Sequence, residues 1–160
     1  MRGYFAVGCE GISKNFNLGN LVRTSHAFGA SFFFTINSRL NYNDIKTSDT
    51  SHADVHMPFY AHQNLADFTL PKDCSLVGVE LLEDAVDLPT FRHPLRAAYV
   101  LGPEKASLSP ELVARCDHII KIPMKFCVNV GVAGALVIYD RMISLGSFAE
   151  RPVRAISRLK

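Results

Sequence analysis

The chain has 160 residues, 48% hydrophobic and 20% charged, enough apolar material for one buried core and too much for global disorder. A formal net charge of +2 neither demands nor excludes a nucleic-acid partner, because local patches decide that. Four cysteines, Cys9, Cys74, Cys116 and Cys127, form no CxxC pair, which disfavours zinc ribbons and dithiol redox sites.

The opening residues contain no apolar stretch of signal-peptide length, and no apolar run is long enough to cross a bilayer. A reducing, cytoplasmic setting without a membrane partner is therefore the expectation. Residues 4–9 form a short apolar run closed by Gly and Glu, the pattern of a buried strand. Residues 18–29 carry an apolar stripe of Leu21, Val22, Ala27 and Phe28, predicting a helix that Gly29 ends. Residues 31–36 are aromatic and β-branched and predict a second strand, giving a βαβ unit.

The polar stretch 37–64 has no clean period and reads as loop with short helical pieces. Strands are expected at 75–81, 97–102 and 118–123, with a two-proline loop over 87–96. Ser109 followed by Pro110 marks the start of a short helix, and residues 130–145 predict a long apolar one. The tail contains Arg151, Arg154, Arg158 and Lys160. The expected organisation is one domain over 1–150 and a basic tail over 151–160. Strands alternating with helices argue for an α/β fold: a mainly parallel sheet with helices on both faces, its ligand beyond the carboxyl ends of the strands.

Neither GxGxxG nor GxxxxGK[ST] occurs, so dinucleotide and P-loop readings lack their phosphate cradle. The run Asn17-Leu18-Gly19-Asn20 reads as a turn. Arg23 then falls within the first turns of the helix, near its positive end, a poor place for a cation unless an anion binds there. Plainer readings exist for each residue. Arg23 serves equally as a surface charge, Asn17 and Asn20 as turn or cap residues, Glu104 as a solvated acid and Asn129 as a helix cap. Gly131, Ala133, Gly134 and Ala135 suggest close approach of another backbone or a ligand. His52 and His56 have metal-pair spacing but no third ligand, so no metal is expected. Cys127 has no evident base beside it, and no covalent thiol chemistry is assigned to it.

Three segments, in order, resemble the SpoU-type (TrmH-like) branch of the SPOUT RNA methyltransferases. They are Asn17-Leu18-Gly19-Asn20-Leu21-Val22-Arg23 with Ala27-Phe28-Gly29, then Leu101-Gly102-Pro103-Glu104, then Ile122-Pro123-Met124 and Cys127-Val128-Asn129-Val130-Gly131-Val132-Ala133. The chain departs from the family pattern in the third. The loop after Met124 is short, and the usual serines are Cys127 and Gly131.

The resemblance implies a deep C-terminal trefoil knot and a homodimer; the apolar face of the last helix serves equally as the dimer contact or as core. It implies methyl transfer from S-adenosylmethionine to a ribose 2′-hydroxyl of RNA, leaving S-adenosylhomocysteine. Transfer RNA is favoured over ribosomal RNA, with the anticodon wobble nucleotide as the target of so compact a member. Arg23, Asn17, Glu104 and Asn129 would form the catalytic group. Leu101, Gly102, Ile122, Met124, Cys127 and Val128 would hold the cofactor. Arg23, Arg39, Lys46, Lys125 and the basic tail would meet RNA phosphates. A knotted RNA-binding dimer without turnover and a small-molecule α/β enzyme are the competing readings.

Overall fold

The computed structural model describes residues 3–46 and 51–149. Seven strands form one sheet: β1 (Tyr4–Glu10), β2 (Phe32–Ile36), β3 (Phe59–His62), β4 (Ser75–Val79), β5 (Val86–Asp87), β6 (Arg96–Leu101) and β7 (His118–Lys121). Every pairing is parallel, in the spatial order β3-β2-β1-β6-β4-β7-β5. The helices are α1 (Asn15–Ala27), α2 (Ala53–His56), α3 (Pro110–Arg115) and α4 (Val130–Leu145).

Side chains alternate across β1, so neighbours face opposite layers. Val7 and Cys9 pack with Leu18, Leu21, Val22 and Ile138 beneath α1 and α4. Ala6 joins Phe34, Ile36, Val100 and Leu112 on the α3 side. Sequential order reverses between β1 and β6, the point at which open α/β sheets place their ligands beyond the strand ends.

The long apolar helix falls over Val130–Leu145, as its pattern predicts. Ser109 caps α3 by accepting from the Leu112 N–H at 3.2 Å. Two strands lie outside the predicted ones. Both are sheet edges: among the described residues β3 pairs only with β2, and two-residue β5 only with β7. A short strand with one neighbour carries almost no period of its own, so its partner decides it.

The first helix also differs from expectation. It begins at Asn15, three residues before the predicted start, so Asn17, Gly19 and Asn20 are helical rather than turn or cap residues. Asn17, Leu18 and Gly19 are buried on its inner face. Tertiary burial has overridden the turn-forming character of that run. Arg23 is consequently the ninth of thirteen helical residues, in the C-terminal half. The expected placement beside the positive end of the helix dipole is wrong, because that charge is confined to the first turn.

α1 and α4 pack closely where α4 carries small residues. A Cβ on Gly134 would stand 2.3 Å from the Leu21 Cδ1, and one on Gly131 would stand 3.4 Å from the Asn20 Cβ. α4 is further tied down by a buried cluster. Arg141 donates to the Leu95 carbonyl at 2.8 Å and to the Tyr99 hydroxyl at 3.1 Å. His93 bridges Tyr99 through Nδ1 at 2.6 Å and Asp140 through Nε2 at 2.8 Å. Burial pushes the His93 imidazole down; Asp140 pulls it up, but burial prevails.

Candidate active site

A cleft of about 580 Å³ opens beyond the carboxyl ends of β4, β6 and β7. Leu101, Gly102, Ile122, Met124, Cys127 and Val128 all line it. The three strand ends converge because parallel strands finish on one edge of the sheet.

The three sequence motifs meet at the rim of this cleft. Glu104, just past β6, accepts hydrogen bonds from the Ser13 N–H at 3.3 Å and hydroxyl at 3.2 Å, and from the Lys14 N–H at 3.0 Å. It also accepts from the Asn17 Nδ2 at 3.1 Å. Asn129 Nδ2 in turn donates to the Asn17 Oδ1 at 2.9 Å. The Asn129 Oδ1 accepts from the Gly131 N–H at 2.8 Å and so caps α4. One polar chain, Glu104–Asn17–Asn129, thus joins segments more than 80 residues apart in sequence. Burial pushes the Glu104 carboxyl up, but the donors around it outweigh burial and hold it below the usual glutamate value. Glu104 is an anion at neutral pH that fixes both the entry to α1 and the Asn17 amide.

Arg23 stands apart from that chain. It is exposed and lines a neighbouring groove between α1 and α4, together with Asn20, Asn129, Gly131, Leu136 and Tyr139. Asn129 borders both hollows. The Arg23 guanidinium is thereby presented to whatever enters from the α1/α4 side.

Arg39, Lys46 and Lys125 are exposed and lie outside the cleft lining. Arg39 follows β2 and Lys125 follows β7, both on the edge that carries the cleft. Lys46 follows a 3-10 turn whose Asp44 carbonyl accepts from the Asn15 Nδ2 at 3.1 Å, beside the start of α1. Arg151, Arg154, Arg158 and Lys160 lie outside the described residues. His56 stacks on His26 with ring centroids 5.6 Å apart. Among the described residues, no group of three His, Cys, Asp or Glu side chains stands ready to hold a metal ion.

Two acids to which the sequence pattern assigns no role at the site also hold it together. Glu80, following β4, lines the cleft and accepts from the Leu108 N–H at 2.7 Å. Glu10, the last residue of β1, accepts from the Ser109 N–H at 2.7 Å and hydroxyl at 2.6 Å. Together they anchor the far end of the 102–109 loop, whose near end supplies Gly102 and Glu104. Their signal was present: each acid directly ends an apolar strand, on the edge where a parallel sheet keeps its ligands.

Residues 4–139 match the profile of the SpoU rRNA Methylase family. The chain belongs to that family. Two relatives are named as tRNA (guanosine(18)-2′-O)-methyltransferases. The Thermus thermophilus protein is 30% identical over 140 residues, covering 82% of this chain and 70% of its own length. The Mus musculus protein, TARBP1, is 30% identical over 152 residues, covering 88% of this chain but only 10% of its own. Among solved structures, an AdoMet-bound rRNA methyltransferase from Sinorhizobium meliloti superposes with a TM-score of 0.78 at 22% identity, covering 92% of this chain and 59% of the other. A structure described as giving insights into the 2-OH methylation of C/U34 on tRNA superposes with a TM-score of 0.73 at 24% identity, covering 89% and 91%. The chain spans between a tenth and nine-tenths of the length of these relatives and structures. No helix among its described residues is long and apolar enough to cross a membrane.

The cleft lining fits S-adenosylmethionine. Its volume is in the range of small-ligand sites, and Leu101, Ile122, Val128 and Ala133 offer an apolar slot for an adenine. A Cβ on Gly102 would stand 3.2 Å from the Leu108 nitrogen, so glycine lets the 102–109 loop pack closely against the end of β6. No Gly-rich phosphate turn is needed, because this ligand has no phosphate.

Proposed function

We propose that this member of the SpoU family transfers a methyl group from S-adenosylmethionine to a ribose 2′-hydroxyl of RNA. The observation that carries the reading is the Glu104–Asn17–Asn129 chain at the mouth of a cofactor-sized cleft, with Arg23 in the adjoining groove. The cofactor, when bound, supplies an activated methyl on a sulfonium. What remains for the chain is position, proton handling and charge.

Leu101, Gly102, Ile122, Met124, Cys127 and Val128 hold the cofactor, largely through backbone and apolar contact. Such contact tolerates cysteine in place of the family's serine. Arg23 binds the phosphate beside the target ribose and stabilises the alkoxide that develops as the hydroxyl loses its proton. A planar five-donor guanidinium suits that work better than it suits a base. Asn17 and Asn129 orient the ribose, and Glu104 holds Asn17. Arg39, Lys46, Lys125 and the basic tail bind phosphates along the RNA. No metal takes part.

Transfer RNA is the substrate, in a cytoplasmic setting. The two named relatives act, by their names, on guanosine 18 of tRNA. The structure matched over nearly its whole length concerns C/U34, which supports the wobble nucleotide as the target. The protein works as a homodimer with a C-terminal trefoil knot, over a domain of residues 1–150. Val132, Leu136 and Tyr139 on α4 are exposed apolar side chains beside Arg23, and burying them in a partner places the two sites next to the interface.

Mass-spectrometric mapping of ribose methylation in total RNA, with and without the gene, tests the reading. One 2′-O-methyl nucleotide in tRNA should vanish with the gene and return with the purified protein. An unchanged map, together with no calorimetric binding of S-adenosylhomocysteine, would return the small-molecule enzyme to favour.

A further inference from the structure

Phe126 is 78% exposed, more than any other large apolar side chain among the described residues, and Phe16 is 68% exposed. Leaving a phenyl ring in water forfeits the free energy of burying it. Both rings nonetheless stand in the segments that build the site. Phe16 directly precedes Asn17, and Phe126 lies three residues before Asn129; those two asparagines are hydrogen-bonded at 2.9 Å. Three residues of chain span at most roughly 10 Å. Both ring-bearing segments therefore lie beside one polar centre, and neither ring lines the cofactor cleft.

Each ring is accompanied by a cation. Lys14 lies two residues before Phe16 and Lys125 immediately before Phe126, and both lysines are exposed. The Lys14 main chain is fixed by the bond from its backbone N–H to Glu104 at 3.0 Å. Open aromatic faces next to lysines are what single-stranded nucleic acid binds: bases stack on the rings while phosphates meet the charges. The exposed α4 stripe of Val132, Leu136 and Tyr139 differs: it carries a single ring and no lysine.

We propose that Phe16 and Phe126 form a stacking clamp for unpaired nucleobases at the target site, with Lys14 and Lys125 holding the adjoining phosphates. The proposal rests on the RNA methyltransferase reading and narrows it: the target nucleotide must lie in a single-stranded or loop region. The clamp is also independent of base identity, because every base has a π-face.

The test uses the full chain, a fluorescently labelled single-stranded RNA decamer and a duplex RNA of equal length, read by anisotropy. The wild type should prefer the single strand. Phe16→Ala and Phe126→Ala should each weaken single-strand binding about tenfold. Phe126→Trp should restore it and Phe126→Leu should not, because an apolar side chain without a π-face fails. S-adenosylhomocysteine affinity by calorimetry and the sedimentation coefficient should stay at wild-type values in all four variants.

Wild-type RNA binding by both alanine variants, or by Phe126→Leu, would overturn the clamp while leaving the methyltransferase reading intact. A fall in sedimentation coefficient in either variant would also overturn it, assigning the rings to a protein partner. Phenyl-dependent RNA binding without any methyl transfer would keep the clamp and remove the enzymatic reading instead.

Discussion

Asn129 Nδ2 donates to Asn17 Oδ1 across 2.9 Å, and through that bond the N-terminus of α4 is locked to the first turn of α1. Asn17 passes the connection on to Glu104 at 3.1 Å, so its amide is a two-way relay that keeps a second N–H and a second lone pair. Asn17→Asp replaces the donor by a second carboxylate facing Glu104. The expected loss is about 2–3 kcal/mol of catalysis, roughly 30- to 150-fold in turnover, from like charges and an unmade bond. Single-turnover methyl incorporation into tRNA from a strain lacking the gene measures it.

Arg23 borders the α1/α4 groove and not the cofactor cleft. Arg23→Ala should therefore abolish methyl transfer while leaving S-adenosylhomocysteine affinity within about twofold of wild type, a change of roughly 0.4 kcal/mol. Arg23→Lys should fail as well, since an ammonium cannot reproduce the bidentate fork. Calorimetry beside an activity assay separates the two effects. Loss of cofactor binding in the alanine variant would remove Arg23 from the catalytic group.

Glu104 has its folded-state pKa below the ordinary glutamate value of 4.5. Folding therefore favours its ionised form, and the unfolded chain binds the proton more readily. The stability Glu104 contributes is fully present above 4.5 and disappears as pH falls through the lower folded value. Melting temperature measured from pH 6 downward should fall less steeply in Glu104→Gln than in wild type. At neutral pH the same variant should already be less stable and slower.

His93 also has a lowered folded-state pKa, here from 6.5, because burial disfavours the imidazolium. Its contribution is complete above 6.5 and declines as pH drops through the folded value, where the unfolded chain takes up the proton first. Wild type should lose melting temperature below that point, and His93→Gln should show a flatter profile there. Activity per folded molecule should be unaffected, because His93 contacts Tyr99 and Asp140 rather than the cleft.

Glu80 and Glu10 keep the far end of the 102–109 loop in place through Leu108 and Ser109. Glu80→Ala strands the Leu108 N–H and loosens a wall of the cleft. S-adenosylhomocysteine affinity should drop about tenfold, or ~1.4 kcal/mol, a typical cost for one charge-assisted bond. An isotherm unchanged from wild type would mean the loop keeps its shape without that acid.

Much of the fold was legible because its elements are locally periodic. The central strands and the long helix over Val130–Leu145 follow from apolar runs bounded by glycines, prolines and acids. The three motif segments were also readable in order along the chain. What local pattern could not supply was anything decided by a distant neighbour. β3 and β5 exist because β2 and β7 offer them hydrogen-bonding edges. The first helix begins at Asn15 because burial against α4 outweighs the turn preference of Asn17 to Asn20, and that shift carries Arg23 away from the helix N-terminus.

By itself, then, the sequence determined the parallel α/β layering and the residue types at the site, since both reside in short-range hydrophobic period and side-chain chemistry. Only the tertiary structure decided which of those residues touch. It joined Glu104, Asn17 and Asn129 into one chain, set Arg23 in a separate groove, and brought Glu10 and Glu80 to the cofactor loop. Such contacts depend on loop closures spanning roughly 30 to 110 residues, and their energies register only once the sheet is assembled.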